Sequence, residues 1–151
     1  MEFSLRKAVE TDVEFLLELR ETTMGQYLRE VGMPAGREAY LERVHYAFDQ
    51  AEIIVINDAP AGLFKAQFNP EINEWYLVQI QLHPDYQGKG IAHRLISTLI
   101  NKADSSGSTV GLSVIKTNPA QRLYSRLGFE RVGETDFEYL MQYTPAKQRK
   151  E

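Results

Sequence analysis

The chain has 151 residues, 17 Lys+Arg against 21 Asp+Glu, 43% apolar and 25% charged residues, and a formal net charge of -4. That composition fits one domain able to bury its own core, and it argues against a dedicated nucleic-acid or anionic-membrane binder, whose phosphate contacts need a clustered basic excess. With Cys 0, disulfides, thiolate metal sites and cysteine nucleophiles are excluded. The opening MEFSLRKAVE lacks the apolar block of a signal peptide, and no run approaches the roughly 20 apolar residues of a bilayer span. The expectation is a cytoplasmic chain, neither exported nor membrane-spanning.

Phe3 and Leu5 alternate with polar residues, which predicts a short opening strand. Thr11 and Glu14 have the spacing of a capping box, and Val13, Leu16, Leu17, Met24 and Tyr27 then share one helical face. Gly32, Pro34 and Gly36 break the chain before a second helix carrying Leu41, Val44 and Phe48. Three strands follow, over Ile53–Ile56, Ala61–Phe68 and Trp75–Leu82, joined by short turns as in an antiparallel meander. A Gly-containing loop leads into a helix with Ile91, Leu95, Ile96, Leu99 and Ile100 at helical spacing, and Thr109–Ile115 reads as an apolar strand. Asn118-Pro119 opens a further helix that Gly128 ends, and Phe129–Thr135 and Phe137–Tyr143 form a closing hairpin before the polar tail 146–151.

The stretch Leu82 to Ala92, LHPDYQGKGIA, runs from a strand through two glycines into an amphipathic helix. Gly88 and Gly90 let a ligand approach the main chain, and first-turn N–H groups at the positive end of a helix dipole are ready donors to an anion. The same glycines would equally serve a tight strand-to-helix connection. Lys89 between the glycines does not fit a Walker loop, and Ala92, His93 and Arg94 do not complete a dinucleotide fingerprint.

Gln87-Gly88-Lys89-Gly90-Ile91-Ala92 resembles the acyl-coenzyme A loop Q/R-x-x-G-x-G/A of the GNAT N-acetyltransferase superfamily. A second block, Thr117 to Glu134, resembles that family's distal segment N-x-x-A-x-x-L-Y-x-x-x-G-F through Asn118, Leu123, Tyr124, Gly128 and Phe129, with Gln121 in place of Ala. The resemblance spans essentially the whole chain. It implies the α/β (α+β) GNAT fold, a twisted mixed sheet of about seven strands flanked by about four helices, as a single domain over 1–145.

The resemblance also implies a reaction. Acetyl-CoA would be the acyl donor and no metal would be needed, with the pyrophosphate on main-chain N–H groups of Gly88, Lys89, Gly90, Ile91 and Ala92, beside Gln87 and the side chains of Lys89, His93 and Arg94. The pantetheine arm would run along Ile80 and Leu82, and an N–H near Leu82 would face the developing oxyanion. Tyr124 matches the usual general acid, although its helical spacing with Ala120, Leu123 and Leu127 equally fits a core aromatic. Asn118 is a helix cap, a cofactor contact, or both. Glu74 is the candidate base, by strand parity with Tyr76, Val78, Ile80 and Leu82, against the alternative of a solvated turn acid.

Arg20 falls near the middle of the apolar face of the first helix, and His45 falls between Leu41, Val44 and Phe48 on the second. A guanidinium on such a face needs an anion, either an internal carboxylate or a substrate's. Arg20, Tyr27 and His45 are therefore the candidates for the acceptor pocket. The function expected is transfer of an acetyl group to a primary amine of a small molecule, amino acid or peptide, in a ternary complex. The alternatives are a non-catalytic acyl-CoA sensor and a protein N-terminal acetyltransferase; an aminoacyl-tRNA acceptor is disfavoured by the acidic balance. No nucleic-acid or membrane partner is expected, and a homodimer is a common state of the family.

Overall fold

In the computed structural model, which describes residues 1–146, the elements come in the order the sequence predicts. They are β1 (Ser4–Lys7), α1 (Val13–Val31), α2 (Arg37–His45), β2 (Ala51–Ile56), β3 (Ala59–Asn69), β4 (Glu74–Leu82), α3 (Ile91–Ser106), β5 (Thr109–Ile115), α4 (Gln121–Arg126), β6 (Glu130–Glu134) and β7 (Glu138–Tyr143). The strands hydrogen-bond in the order β1-β2-β3-β4-β5-β7-β6, a seven-stranded mixed sheet. Of the expected polar tail, residues 147–151 lie outside the described residues. The chain forms two compact units, Met1–Ala66 with Gln79–Ala92, and Gln67–Val78 with His93 onward.

In the first unit β1 runs antiparallel to β2, from Ser4 opposite Val55 to Lys7 opposite Glu52. The ladder between β2 and β3 is antiparallel too, with a bulge at Ile54/Val55 that lets three residues of β3 span two of β2. Ile53, Ile54, Ile56 and Leu63 are at most 1% exposed, so this meander holds the core of the unit. Above it α1 buries Leu16, Leu19 and Leu28. It ends in a Schellman motif, with Gly32 left-handed at φ 81° and the N–H groups of Gly32 and Met33 on the carbonyls of Arg29 and Leu28.

The start of α1 corrects the expected capping box. A 3-10 turn over Glu10–Asp12 precedes the helix, so the residue before α1 is Asp12 rather than Thr11, and the Asp12 carboxylate reaches back to take the Val9 N–H at 2.8 Å. Asp12 is fixed in turn by both nitrogens of the Arg6 guanidinium, at 2.8 and 2.9 Å. Such a pair joins residues of a strand and a turn, which helical periodicity does not report.

In the second unit Glu74–Tyr76 of β4 pair in parallel with Thr109–Gly111 of β5. The far side of β5 pairs antiparallel with β7, and β7 with β6. Ile96 and Ala103 of α3 are fully buried, and Leu95 and Leu99 nearly so, as the 3.6-residue period requires. Asn73 ties off the end of α3, its amide nitrogen donating to the Gly107 carbonyl at 3.1 Å and its oxygen accepting from Ser108 at 2.7 Å.

Candidate active site

The turn after β4 is built by local chemistry. Pro84–Tyr86 form one 3-10 turn, begun by the His83 ring nitrogen accepting from the Asp85 N–H at 3.2 Å. Gln87 then reaches back, its amide nitrogen donating to the Leu82 carbonyl at 2.9 Å, and so ties the end of the turn to the end of the strand. This bracing role was not among the expectations for Gln87, because a contact across the turn leaves no periodic trace in the sequence.

Gly88 and Gly90 have φ of +75° and +78°. A Cβ placed on either would meet nothing within 4 Å, so the glycines are not demanded by packing. They are demanded by the left-handed backbone, and they keep the main chain bare. Gln87 through Gly90 are exposed, as are His93 and Arg94, while Ile91 is buried to 1% and anchors the first turn of α3. An exposed, side-chain-free backbone opening a helix fits a pyrophosphate, whose oxygens need several N–H donors at close range.

Ile80 is half-buried and Leu82 is 8% exposed on β4. The His83 N–H donates to the Ala61 carbonyl of β3 at 2.8 Å, which sets that end of the strand in the meander. Among the described residues the ladder between β4 and β5 covers Glu74–Tyr76.

Tyr124 sits on α4 and is 8% exposed, its ring edge-on to Phe129 at 5.9 Å, with Phe129 packed at a tilt against Tyr143 in turn. Burial pushes its phenol up to about 12, so the group keeps its proton at pH 7. Its hydroxyl has no hydrogen-bond partner among the described residues. The core-aromatic reading and the proton-donor reading are thus compatible, the ring packed and the hydroxyl uncommitted. Asn118 caps the approach to α4, its side-chain oxygen accepting from the Ala120 N–H at 2.9 Å.

Glu74 begins β4, at the opposite end of the strand from the glycine turn. Its carboxylate accepts from Thr109 at 3.3 Å and Gln142 at 3.4 Å. Arg20 is half-buried with its guanidinium 5.8 Å from the centre of the Tyr40 ring, and Tyr27 is half-buried further along α1. His45 departs from the expected apolar stripe. It is exposed, 3.4 Å from Glu10 and 5.8 Å from the Phe48 ring, because α2 ends at His45 and the helical wheel does not extend past it.

Sequence reasoning missed Lys65. In the middle of an apolar strand it is 0% exposed, and its ammonium donates to the carbonyls of Arg43, Val44 and Tyr46 at 3.1, 3.1 and 2.6 Å, closing the end of α2. Burial, with Arg43 and Arg20 adding repulsion, lowers it to about 8, so it is still charged at pH 7. A lone Lys among Leu63, Phe64 and Ala66 was the available signal.

Among the described residues no cluster of three or more His, Asp or Glu could hold a metal ion, and no helix is long and apolar enough to cross a membrane. The PaiA N-acetyltransferase from Thermoplasma acidophilum, solved with coenzyme A, is similar in fold at 15% identity, TM-score 0.72, over 95% of this chain and 99% of that one. The ribosomal-protein-S18-alanine N-acetyltransferase of Escherichia coli is similar at 20% identity, TM-score 0.67, over 95% and 94%. The N-acetylglutamate synthase of Neisseria gonorrhoeae, solved with coenzyme A and N-acetyl-glutamate, is similar at 17% identity, TM-score 0.68, over 95% of this chain and 35% of that one. Among curated proteins no match is found. The model of the Acetyltransferase (GNAT) family matches residues 14–129, from α1 through the glycine turn and Tyr124 to Phe129, and the chain belongs to that family.

Proposed function

We propose that this protein moves an acetyl group from acetyl-CoA to a primary amine of a small molecule, an amino acid or a peptide, by direct attack in a ternary complex. The observation that carries the reading is the bare, left-handed main chain at Gly88 and Gly90 where β4 turns into α3. In this reading the diphosphate rests on N–H groups from Gly88 to Ala92, and Lys89, His93 and Asn118 add polar contacts. Gln87 holds the turn in shape through the Leu82 carbonyl. Ile80 and Leu82 flank the pantetheine, and the Leu82 N–H donates to the thioester oxygen as it takes up charge.

The amine nitrogen attacks the thioester carbonyl carbon, the C–S bond breaks, the acylated nitrogen gives up its second proton to water, and the thiolate receives the Tyr124 proton. A phenol raised to about 12 is fully protonated before that step, and it is restored afterwards from solvent. Glu74, the expected base, stands eight residues before Leu82 on β4 with its carboxylate held by Thr109 and Gln142, so in this reading water takes the incoming ammonium's proton. Arg20, Tyr27 and His45 stand as acceptor-side residues. The solved relatives in the family act on unlike acceptors, as their names state, so the fold alone does not choose among them. The reading extends to a cytoplasmic enzyme.

The test is release of free thiol from acetyl-CoA by the full chain against a panel of amines. Amine-dependent release is expected, and Tyr124→Phe should lower kcat by about 100-fold or more with the acetyl-CoA KM little changed, as loss of a general acid does. Tight acetyl-CoA binding without amine-dependent thiol release would instead establish a sensor.

A further inference from the structure

Three buried side-chain atoms have no hydrogen-bond partner among the described residues: both amide atoms of Gln79, and Oε1 of Gln81. The two residues are 6% and 7% exposed. Buried amides are nearly always paired, so two such residues at alternate positions of one strand need a reason. Alternation along β4 sends both to one face.

That face is identified within the first unit. A Cβ at Gly62 of β3 would lie 3.0 Å from Cδ2 of Leu82, so Gly62 and Leu82 share one face of the sheet. Leu63 and Lys65 share the other with Gln81 and Gln79. Counting from the His83 N–H on the Ala61 carbonyl brings Lys65 level with Gln79. Lys65 has spent all three of its protons on the α2 carbonyls and has none for the glutamines. The helices over this face carry Arg20 and Arg43, whose charges Lys65 senses.

The chemistry of the uncommitted atoms selects a ligand. A carboxamide presents a donor nitrogen on one side and an acceptor oxygen on the other whichever way it is turned. Gln79 is therefore matched by another amide, with its own carbonyl and N–H side by side. A carboxylate would leave the Gln79 oxygen facing an oxygen. A polyamine would leave the Gln79 nitrogen facing a donor and would bring positive charge towards Lys65, Arg20 and Arg43. Gln81 Oε1 takes one more N–H.

We propose that Gln79 and Gln81 form an amide-reading subsite for the acceptor, and that the acceptor is the amino end of a peptide, whose first peptide group pairs with Gln79. The inference rests on the acetyltransferase reading and narrows it to one acceptor class. Coenzyme A also contains amides, in its pantetheine arm. The proposal assigns the glutamine side chains to the acceptor, because the arm is expected along the main chain of Ile80 and Leu82, while Gln79 and Gln81 direct their side chains to the face of Lys65.

The experiment uses the full chain, its Gln79→Met and Gln81→Met variants, and three acceptors: Ala-Ala-amide, free alanine and 1,4-diaminobutane. The wild type should favour Ala-Ala-amide at least tenfold in kcat/KM. Gln79→Met should lower that kcat/KM at least tenfold through the acceptor KM, with the acetyl-CoA KM within twofold, and Gln81→Met should do the same to a smaller extent. Because the substitutions remove orphaned amides, the variants without ligand should melt at or above the wild-type Tm. With coenzyme A present, Ala-Ala-amide should raise the Tm of the wild type and not of Gln79→Met, a readout that needs no turnover. A lowered Tm with an unchanged acceptor KM would make the glutamines internal structural groups and overturn the proposal. A raised acetyl-CoA KM alone would give them to the donor and overturn it equally. Failure to bind coenzyme A at all would instead sink the acetyltransferase reading.

Discussion

Asp12 shows how a single carboxylate fixes the entry to α1. It is 6% exposed, and it accepts from the Arg6 guanidinium and the Val9 N–H, whereas Arg6 keeps a side chain 44% exposed to water. The hydrogen bonds from Arg6 hold the Asp12 carboxyl below its ordinary value, against the opposing effect of burial, and the Val9 N–H adds to the lowering. A depressed carboxylate contributes stability above its unfolded pKa, near 4, and loses it as pH falls through the lower native value. Asp12→Asn should therefore cost about 1–2 kcal/mol at pH 7, a charged hydrogen-bond energy discounted for the wet guanidinium. The deficit relative to wild type should shrink as pH falls below about 4, which urea unfolding at pH 7 and pH 3 would read. An equal deficit at both would mean that packing, not charge, is what the substitution removes.

Among the elements, the turn between β4 and α3 was the most legible from sequence, because its signal is local. Two glycines, a strand before them and an amphipathic period after them all fall within a short stretch, and the positive φ values follow. The matching test has an internal control. Gly32 and Gly90 have nearly equal φ, +81° and +78°, and a Cβ on either meets nothing within 4 Å. Alanine at each should cost about 1–2 kcal/mol from the left-handed backbone alone, so the two variants should lose similar Tm. Only Gly90→Ala should also weaken coenzyme A binding, by tenfold or more, since its methyl stands on the surface that the diphosphate is proposed to touch. Equal coenzyme A affinity in both variants would show that the turn is only a connection.

The illegible parts share the opposite property. Lys65 closes the end of α2 from a strand 20 residues later, Asp12 pairs with a residue of β1, and Gln79 and Gln81 look like the polar half of an ordinary alternating strand. Periodicity assigns each of these to a face but does not say whether that face is covered. His45 failed for a related reason, since a wheel drawn through the last residue of a helix has no following turn to support it.

For the molecule as a whole, the strand order, the family match over residues 14–129 and the likeness in fold to solved acetyltransferases agree with the element order read from sequence. A net charge of -4 coexists with buried cationic character around Lys65, so the sign of the whole chain does not describe the surroundings of α1 and α2. Function in this protein turns on the proposed binding of an acyl donor's diphosphate by the main chain from Gly88 to Ala92. Titration calorimetry of the full chain with coenzyme A, at two temperatures so that a vanishing enthalpy at one cannot hide binding, tests it most directly. Saturable one-to-one heat, with a negative heat-capacity change as the pantetheine arm is buried, is the predicted result. Absence of heat at both temperatures would contradict it.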